Sequence, residues 1–323
     1  MTRRLALVSV LAVLVTVATG ALVISRSDEA GPVGSRPQPD IGLALLVVTT
    51  EAEPLATIVG GTGFGQTGAI VLPPRAVVTI PGQGEATVGA ALDLPPEQAS
   101  MAAGNLLGVW VEHHAVIEDR TLASLVDQAG GVAIGDRTLE GSDVLALLAR
   151  PGPEGVAGLQ LVLDALFAAD VGWATADLAE SDDERAVARA LHSAAGSRTV
   201  VLEVDEVASD VFVASPDQVV GALVDAFGGP AEAAIPVIVL NGNGVPGIGE
   251  LVAERILPAG FRVAISENAA TFDHRETLVV VGSSDDVALA ERVRDLLGVG
   301  SVSVSVGSGI APVTVVIGKD FTG

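Results

Sequence analysis

Two stretches of this 323-residue chain match the spacing G-x-G-x-x-G. In that spacing glycines let a backbone turn tightly and close on a pyrophosphate while a helix N-terminus faces it. The first, Gly63-Phe64-Gly65-Gln66-Thr67-Gly68, leads into Ala69–Leu72, a strand-like run, so the helix that phosphate binding needs is missing there. The second, Gly242-Asn243-Gly244-Val245-Pro246-Gly247, follows a strand pattern and opens a helical one, and Glu267 stands where a ribose-binding acid would be expected. Too little chain remains beyond it for a doubly wound sheet, and Pro246 narrows the loop's conformations. The expected reading is a tight strand-to-helix turn built on Asn241, Gly242, Gly244 and Gly247; a nucleotide-binding module on the same loop is the alternative.

Other chemistry is sparse. His113-His114 falls in a strand pattern, where neighbours point to opposite faces, so the pair is poorly placed to share one metal and one of the two is expected to be exposed. No G-x-S-x-G elbow and no H-E-x-x-H occurs. Without cysteine there is no thiol nucleophile, thiolate metal site or disulfide. The net charge is -23, with no basic stripe to follow a phosphate backbone, which excludes a nucleic-acid partner.

The elements that must position these residues are those of an α/β protein. Apolar residues make up 49% of the chain and aromatics 3%, so Val, Leu, Ile and Ala must fill the core, which suits layered α/β packing. Strand patterns lie at 41–50, 69–72, 76–80, 109–116 and 199–204. Helical periodicity appears at 96–107, 121–129, 142–148, 156–168, 182–195 and 216–227. Ser181 and Glu184 have capping-box spacing. Gly228-Gly229-Pro230 then breaks the chain. A second pattern follows: strand 236–240, helix 247–257, strands 261–266 and 277–281, helix 285–297, and strands 302–306 and 313–317. The βαββαβ order of the first six of these elements, in a short segment, resembles a small split βαβ sandwich.

Ahead of all this, Arg3 and Arg4 precede an uncharged run from Leu5 to Ser25, long enough to cross a hydrocarbon core of about 30 Å. The flanking arginines favour a cytoplasmic N-terminus with the bulk outside, in a single pass. The run exceeds a signal peptide's apolar core, so residues 1–25 are expected to be a retained anchor, with cleavage near Ala18-Thr19-Gly20 as the alternative. Residues 26–39, rich in Pro, Gly, Ser and charge, read as a linker.

Residues 235–321 resemble the C-terminal domain of LytR-type envelope proteins. The resemblance is carried by Val237-Ile238-Val239-Leu240-Asn241-Gly242, Gly244-Val245-Pro246-Gly247, Ala259-Gly260-Phe261 and Val313-Thr314-Val315-Val316-Ile317-Gly318-Lys319-Asp320-Phe321. Residues 40–231 resemble the LytR-CpsA-Psr domain through Pro74-Arg75, Val78-Thr79-Ile80-Pro81-Gly82, Leu125-Val126-Asp127, Gly130-Gly131-Val132 and Leu139-Glu140-Gly141. That family's members are membrane-anchored and transfer polymers from a polyprenyl-pyrophosphate carrier to peptidoglycan. Arginines hold the pyrophosphate, carboxylates help bind Mg²⁺, and an apolar cleft takes the lipid.

Carried over residue by residue, the resemblance implies a ligand site at Asp40, Arg75, Arg150 and Gln160. It also exposes losses. The acid expected after Arg75 is Ala76, and Gly152 and Leu159 stand in the stretch where further charged residues belong. Because several fixed positive groups must stabilise the charge of phosphoryl transfer, a degenerate, non-catalytic member is expected, one that binds an envelope component or assists an active relative. A phosphotransferase that uses Mg²⁺ is the alternative; otherwise no cofactor is implied. Expected partners are the membrane, a polyprenyl-linked glycopolymer, peptidoglycan or an active relative.

Overall fold

The computed structural model describes residues 42–49, 54–128, 130–150, 153–168, 185–187, 190, 198–305 and 309–322. The anchor run, Asp40, Ser181 and Glu184 lie outside them. Among the described residues no helix is long and apolar enough to cross a membrane.

The uninterrupted apolar run after residue 41 forms a strand with both faces covered. β1 (Gly42–Thr49) sends Leu43, Leu45 and Val47 to one core and Ala44, Leu46 and Val48 to another. It pairs antiparallel with β2 (Pro54–Gly63), which pairs antiparallel with β3 (Gln66–Val71). A hairpin of β4 (Val77–Ile80) and β5 (Gly84–Thr87) follows, then a short helix α1 (Val88–Ala91) and α2 (Pro96–Leu107). β6 (His113–Glu118) returns parallel to β1.

Three helices cover the second face: α3 (Asp119–Gln128), α4 (Gly141–Leu148) and α5 (Pro153–Ala168), with a small hairpin of β7 (Val132–Ile134) and β8 (Arg137–Leu139) between the first two. β9 (Arg198–Val201) closes the five-stranded sheet in the order β6-β1-β2-β3-β9, running parallel to β3. The β10 (Asp205–Ala208) and β11 (Val211–Val213) hairpin leads to α6 (Pro216–Phe227), which joins α2 on the first face. Ser215 and Gln218 make the capping box at its start, and Gly228 takes the left-handed position at its end. The unit is a three-layer α/β/α sandwich.

Several expectations shift. The strand read at 109–116 begins at His113, because 109–112 turn into it from α2. β2 was not visible as a strand. Its Gly60-Gly61 pair reads as a loop, yet a Cβ at Gly61 would lie 2.1 Å from the Gly42 oxygen, so only glycine allows that approach. Phe64 and Gly65, both at positive φ, turn β2 into β3, so the first G-x-G-x-x-G is a hairpin.

The second unit contains β12 (Ile235–Asn241), α7 (Ile248–Ile256), β13 (Phe261–Asn268), β14 (Leu278–Val281), α8 (Val287–Leu297), β15 (Ser301–Val304) and β16 (Val313–Ile317). The sheet order is β13-β12-β16-β14-β15. It is therefore not a split βαβ sandwich. Two βαβ units, each with adjacent parallel strands, flank the last strand, which pairs parallel to β12 and antiparallel to β14. Asp320 fixes that closing segment by accepting from the N–H and hydroxyl of Thr277, at 2.8 Å each.

The two sheets meet at β13. One edge of this strand pairs with β12, and the other is covered by the first unit. The side chain of Asn105, 2% exposed on α2, accepts from Val263 N–H at 2.7 Å and donates to the Val263 carbonyl at 2.8 Å and the Thr79 carbonyl at 2.9 Å. Thr79 donates its hydroxyl to the Ala264 carbonyl, and Gly82 N–H donates to the Ser266 hydroxyl at 2.7 Å. Met101 of α2 and Trp110 pack into the core of the second sheet.

Asn105→Ala is expected to lower stability by about 1–3 kcal/mol, because it orphans a buried N–H and two carbonyls. Asn105→Asp keeps the acceptor but sets a buried carboxylate oxygen against both carbonyls, and is expected to cost at least as much as Asn105→Ala. Denaturant unfolding of the two variants against wild type measures both effects.

Candidate functional site

The glycine loop between β12 and α7 is held by its own asparagines. Asn241 accepts from Gly244 N–H at 2.8 Å and donates to the Val245 carbonyl at 3.0 Å. Asn243 accepts from Val245 N–H at 2.9 Å and donates to the Gly318 carbonyl at 3.1 Å. Gly242 N–H donates to the Ile317 carbonyl. Gly244 and Gly247 sit at φ of 77° and 79°, in the left-handed region that glycine permits. The expected tight turn is what forms. Three N–H groups that a phosphate could have used, those of Gly242, Gly244 and Val245, are already occupied, which disfavours the nucleotide-binding alternative.

This loop forms one wall of a cleft of about 840 Å³ between the two units. The opposite wall is the β4–β5 turn, Gly82-Gln83-Gly84, with Gln98 at the start of α2. Ser266, Glu267 and Asn268 at the end of β13 form the floor, and Phe272 stands at the rim against Gly244. A relay of polar contacts crosses it: Gln83 donates to Gln98 at 2.8 Å, and Gln98 donates to Glu250 at 3.0 Å. The walls touch where α7 begins. A Cβ on Gly249 would lie 2.5 Å from the Gly82 nitrogen, so the helix can approach the hairpin only as glycine.

Among the described residues no Lys, Arg or His lines the cleft, whereas Glu250 and Glu267 do. A pyrophosphate would meet two carboxylates and no cation, a second argument against a nucleotide. Beside Phe272, Thr271 donates its hydroxyl to the Asp273 carboxylate. That bond, with a backbone hydrogen bond, holds the carboxyl below its usual pKa.

The other predicted residues lie on the larger unit and are given different partners. Arg75 follows β3 in an exposed turn and pairs with Asp210 of the β10–β11 turn at 3.2 Å, with both side chains more than two-thirds exposed. Such a pair adds at most about 1 kcal/mol. Arg150 is exposed just past the end of α4. Gln160, on α5, donates to the Thr199 carbonyl at 2.8 Å and so serves the edge strand β9. Asp40 lies outside the described residues.

The substituted positions tell more. Ala76 is fully buried in the first core, with its N–H donating to the Pro73 carbonyl and its carbonyl accepting from Val88 N–H. Leu159 is 3% exposed in the second core. Gly152 lies outside the described residues. Among the described residues no group of three or more His, Asp or Glu could hold a metal ion. His113 and His114 are both half-buried, on opposite faces of β6, which corrects the expectation that one is exposed.

The cleft was not foreseen as a site. Its walls come from segments far apart in sequence, and only the Ile80-Pro81-Gly82 ending and the Gly242 loop stand out as sequence patterns, separately.

Comparison with solved structures returns proteins of the LytR-CpsA-Psr type. A LytR-Csp2A-Psr enzyme from Actinomyces oris has a TM-score of 0.45 at 16% identity, over 63% of this chain and 96% of that one. The ywtF protein from Bacillus subtilis has a TM-score of 0.45 at 18% identity, over 64% and 94%. YwtF (TagT) with bound octaprenyl pyrophosphate lipid has a TM-score of 0.43 at 17% identity, over 62% and 93%. Likenesses of this size carry no argument about chemistry. No curated protein matches the chain. The second unit is matched through its whole length: residues 234–321 fit the family described as LytR cell envelope-related transcriptional attenuator.

Proposed function

We propose that this protein is a membrane-tethered, extracytoplasmic component of the cell envelope. In this reading it is a non-catalytic binding or accessory member of the LytR-CpsA-Psr type that serves cell-wall assembly. The match of residues 234–321 supports the envelope role. The Arg3-Arg4 pair before the uncharged run from Leu5 to Ser25 supports the tether and its orientation.

The observation that carries the non-catalytic reading is the fate of the charged positions. Where the resemblance implies an acid after Arg75, the chain has Ala76 sealed in an apolar core, and Leu159 is likewise sealed in the core across the sheet. A carboxylate or guanidinium at either position would be buried without a partner. Arg75, the cation left beside Ala76, is engaged by Asp210. Loss of a single preorganised charge-stabilising group typically lowers a rate by about 10²–10³. A set reduced this far supports binding rather than transfer. The proposed partners are a polyprenyl-linked glycopolymer, peptidoglycan or an active relative; a polyprenyl chain is held through apolar contact and does not need the missing charges.

Two measurements test the reading. A reporter fused after Gly323 is expected to be active only outside the cytoplasm, with the chain pelleting in membranes. A shortened soluble form would mean that the apolar run is a cleaved signal. Incubated with a soluble polyprenyl-pyrophosphate glycan donor, acceptor and Mg²⁺, wild type is expected to show no transfer, and Arg75→Ala to bind the donor as well as wild type. Turnover by wild type, or metal-dependent binding that falls about tenfold or more in Arg75→Ala, would establish the phosphotransferase instead.

A further inference from the structure

We propose that the cleft between the two sheets is a binding site for an uncharged saccharide. The inference does not rest on the accessory reading, since an active transferase could carry the same cleft.

The polar lining selects the ligand class. Ser266 is 8% exposed, and its oxygen accepts from Gly82 N–H. Its own O–H has no protein acceptor among the described residues, which leaves a buried donor in the floor of the cleft. Gln83 and Gln98 each use one amide N–H in the relay and keep a second. Glu250 keeps acceptor capacity beyond its bond from Gln98. Glu267 and Asn268 are exposed at the end of β13 and supply further acceptors and an amide donor. Sugar hydroxyls both donate and accept, and this mixture of carboxylate, amide and hydroxyl groups meets both demands.

Charge narrows the class. With two carboxylates and no cation among the described residues of the lining, phosphate and sulfate ligands are disfavoured. Phe272, 49% exposed among the residues lining the cleft, supplies an aromatic surface of the kind that packs on the C–H face of a pyranose ring. Size and rigidity agree. A volume near 840 Å³ lies within the range of small-ligand pockets. The walls are fixed by the bonds of Asn105, Thr79 and Gly82 to β13, so little ordering remains for the ligand to impose. A cationic peptide would also meet the carboxylates, but it would leave the amide donors and the Ser266 proton without partners.

Calorimetric titration of the full chain in detergent tests the assignment, with the N-acetylglucosamine tetramer, maltotetraose, tetralysine and inorganic pyrophosphate as probes. At least one tetrasaccharide is expected to bind, with affinity unchanged within about twofold as salt rises roughly tenfold. Phe272→Ala is expected to weaken that binding by about tenfold or more, and Asn268→Ala by about threefold to tenfold. Both residues are exposed, so thermal unfolding should stay at the wild-type temperature. If Phe272→Ala does unfold, Asn268→Ala alone decides. Failure of both tetrasaccharides to bind, or binding undiminished in the variants, would overturn the proposal. Salt-sensitive binding of tetralysine alone would assign a cationic-peptide site, and binding of pyrophosphate alone a phosphate site.

Discussion

A sheet edge that ends inside a protein must have its backbone N–H and C=O groups satisfied, and β13 meets this demand with a side chain rather than another strand. The carbamoyl group of Asn105 presents one acceptor and two donors in the geometry of a peptide unit. It thus continues the hydrogen bonding of the second sheet into the first unit. Nothing else of that polarity could be buried there without loss. Thr79 and Gly82 extend the contact along the same edge, which places the β4–β5 turn over the end of β13. The cleft, its floor at Ser266 and its two opposed walls all follow from this one junction.

Much of the fold was legible because local signals agreed with packing. The helix from Pro96 to Leu107 starts with Pro and stops at Gly108 in the left-handed region, so both ends could be read to the residue. β1 was legible for a different reason: sandwiched between two helical layers, it has no solvent face to interrupt its apolar run. β2 was hidden although it lies at the centre of the same sheet, because close backbone approach demanded glycines that imitate a loop. The position of β16 was illegible in principle. Pairing between strands distant in sequence leaves no periodic trace, so nothing in the pattern says that the last strand enters the middle of the sheet.

The site was legible only in fragments, and the physical reason is its composition. Sequence motifs advertise sites whose ligands come from one segment, and the Gly242 loop advertised a phosphate. Folding occupies the loop's donors with Asn241 and Asn243 and sets two carboxylates nearby, which reverses the ligand charge that the spacing suggested. Likewise Arg75 matched a family position, but the sequence could not show that Asp210, from a distant hairpin, would pair with it. Gln160, expected at the ligand site, also donates to the backbone of β9. In each case the missing information was the partner, not the residue.

The contact between Gly249 and Gly82 bears on how such a chain can be rearranged. Gly249 tolerates no side chain unless Gly82 retreats, Gly82 is itself held at a positive φ that favours glycine, and the two sit in different sheet units. The second unit is therefore not a freely exchangeable cartridge. A chimera that appends a C-terminal domain from another protein after α6 would dock only if the incoming helix begins on glycine and the incoming edge strand meets an asparagine on the host. Recombination at this junction should thus succeed between chains that keep both features and yield loosely tethered halves elsewhere.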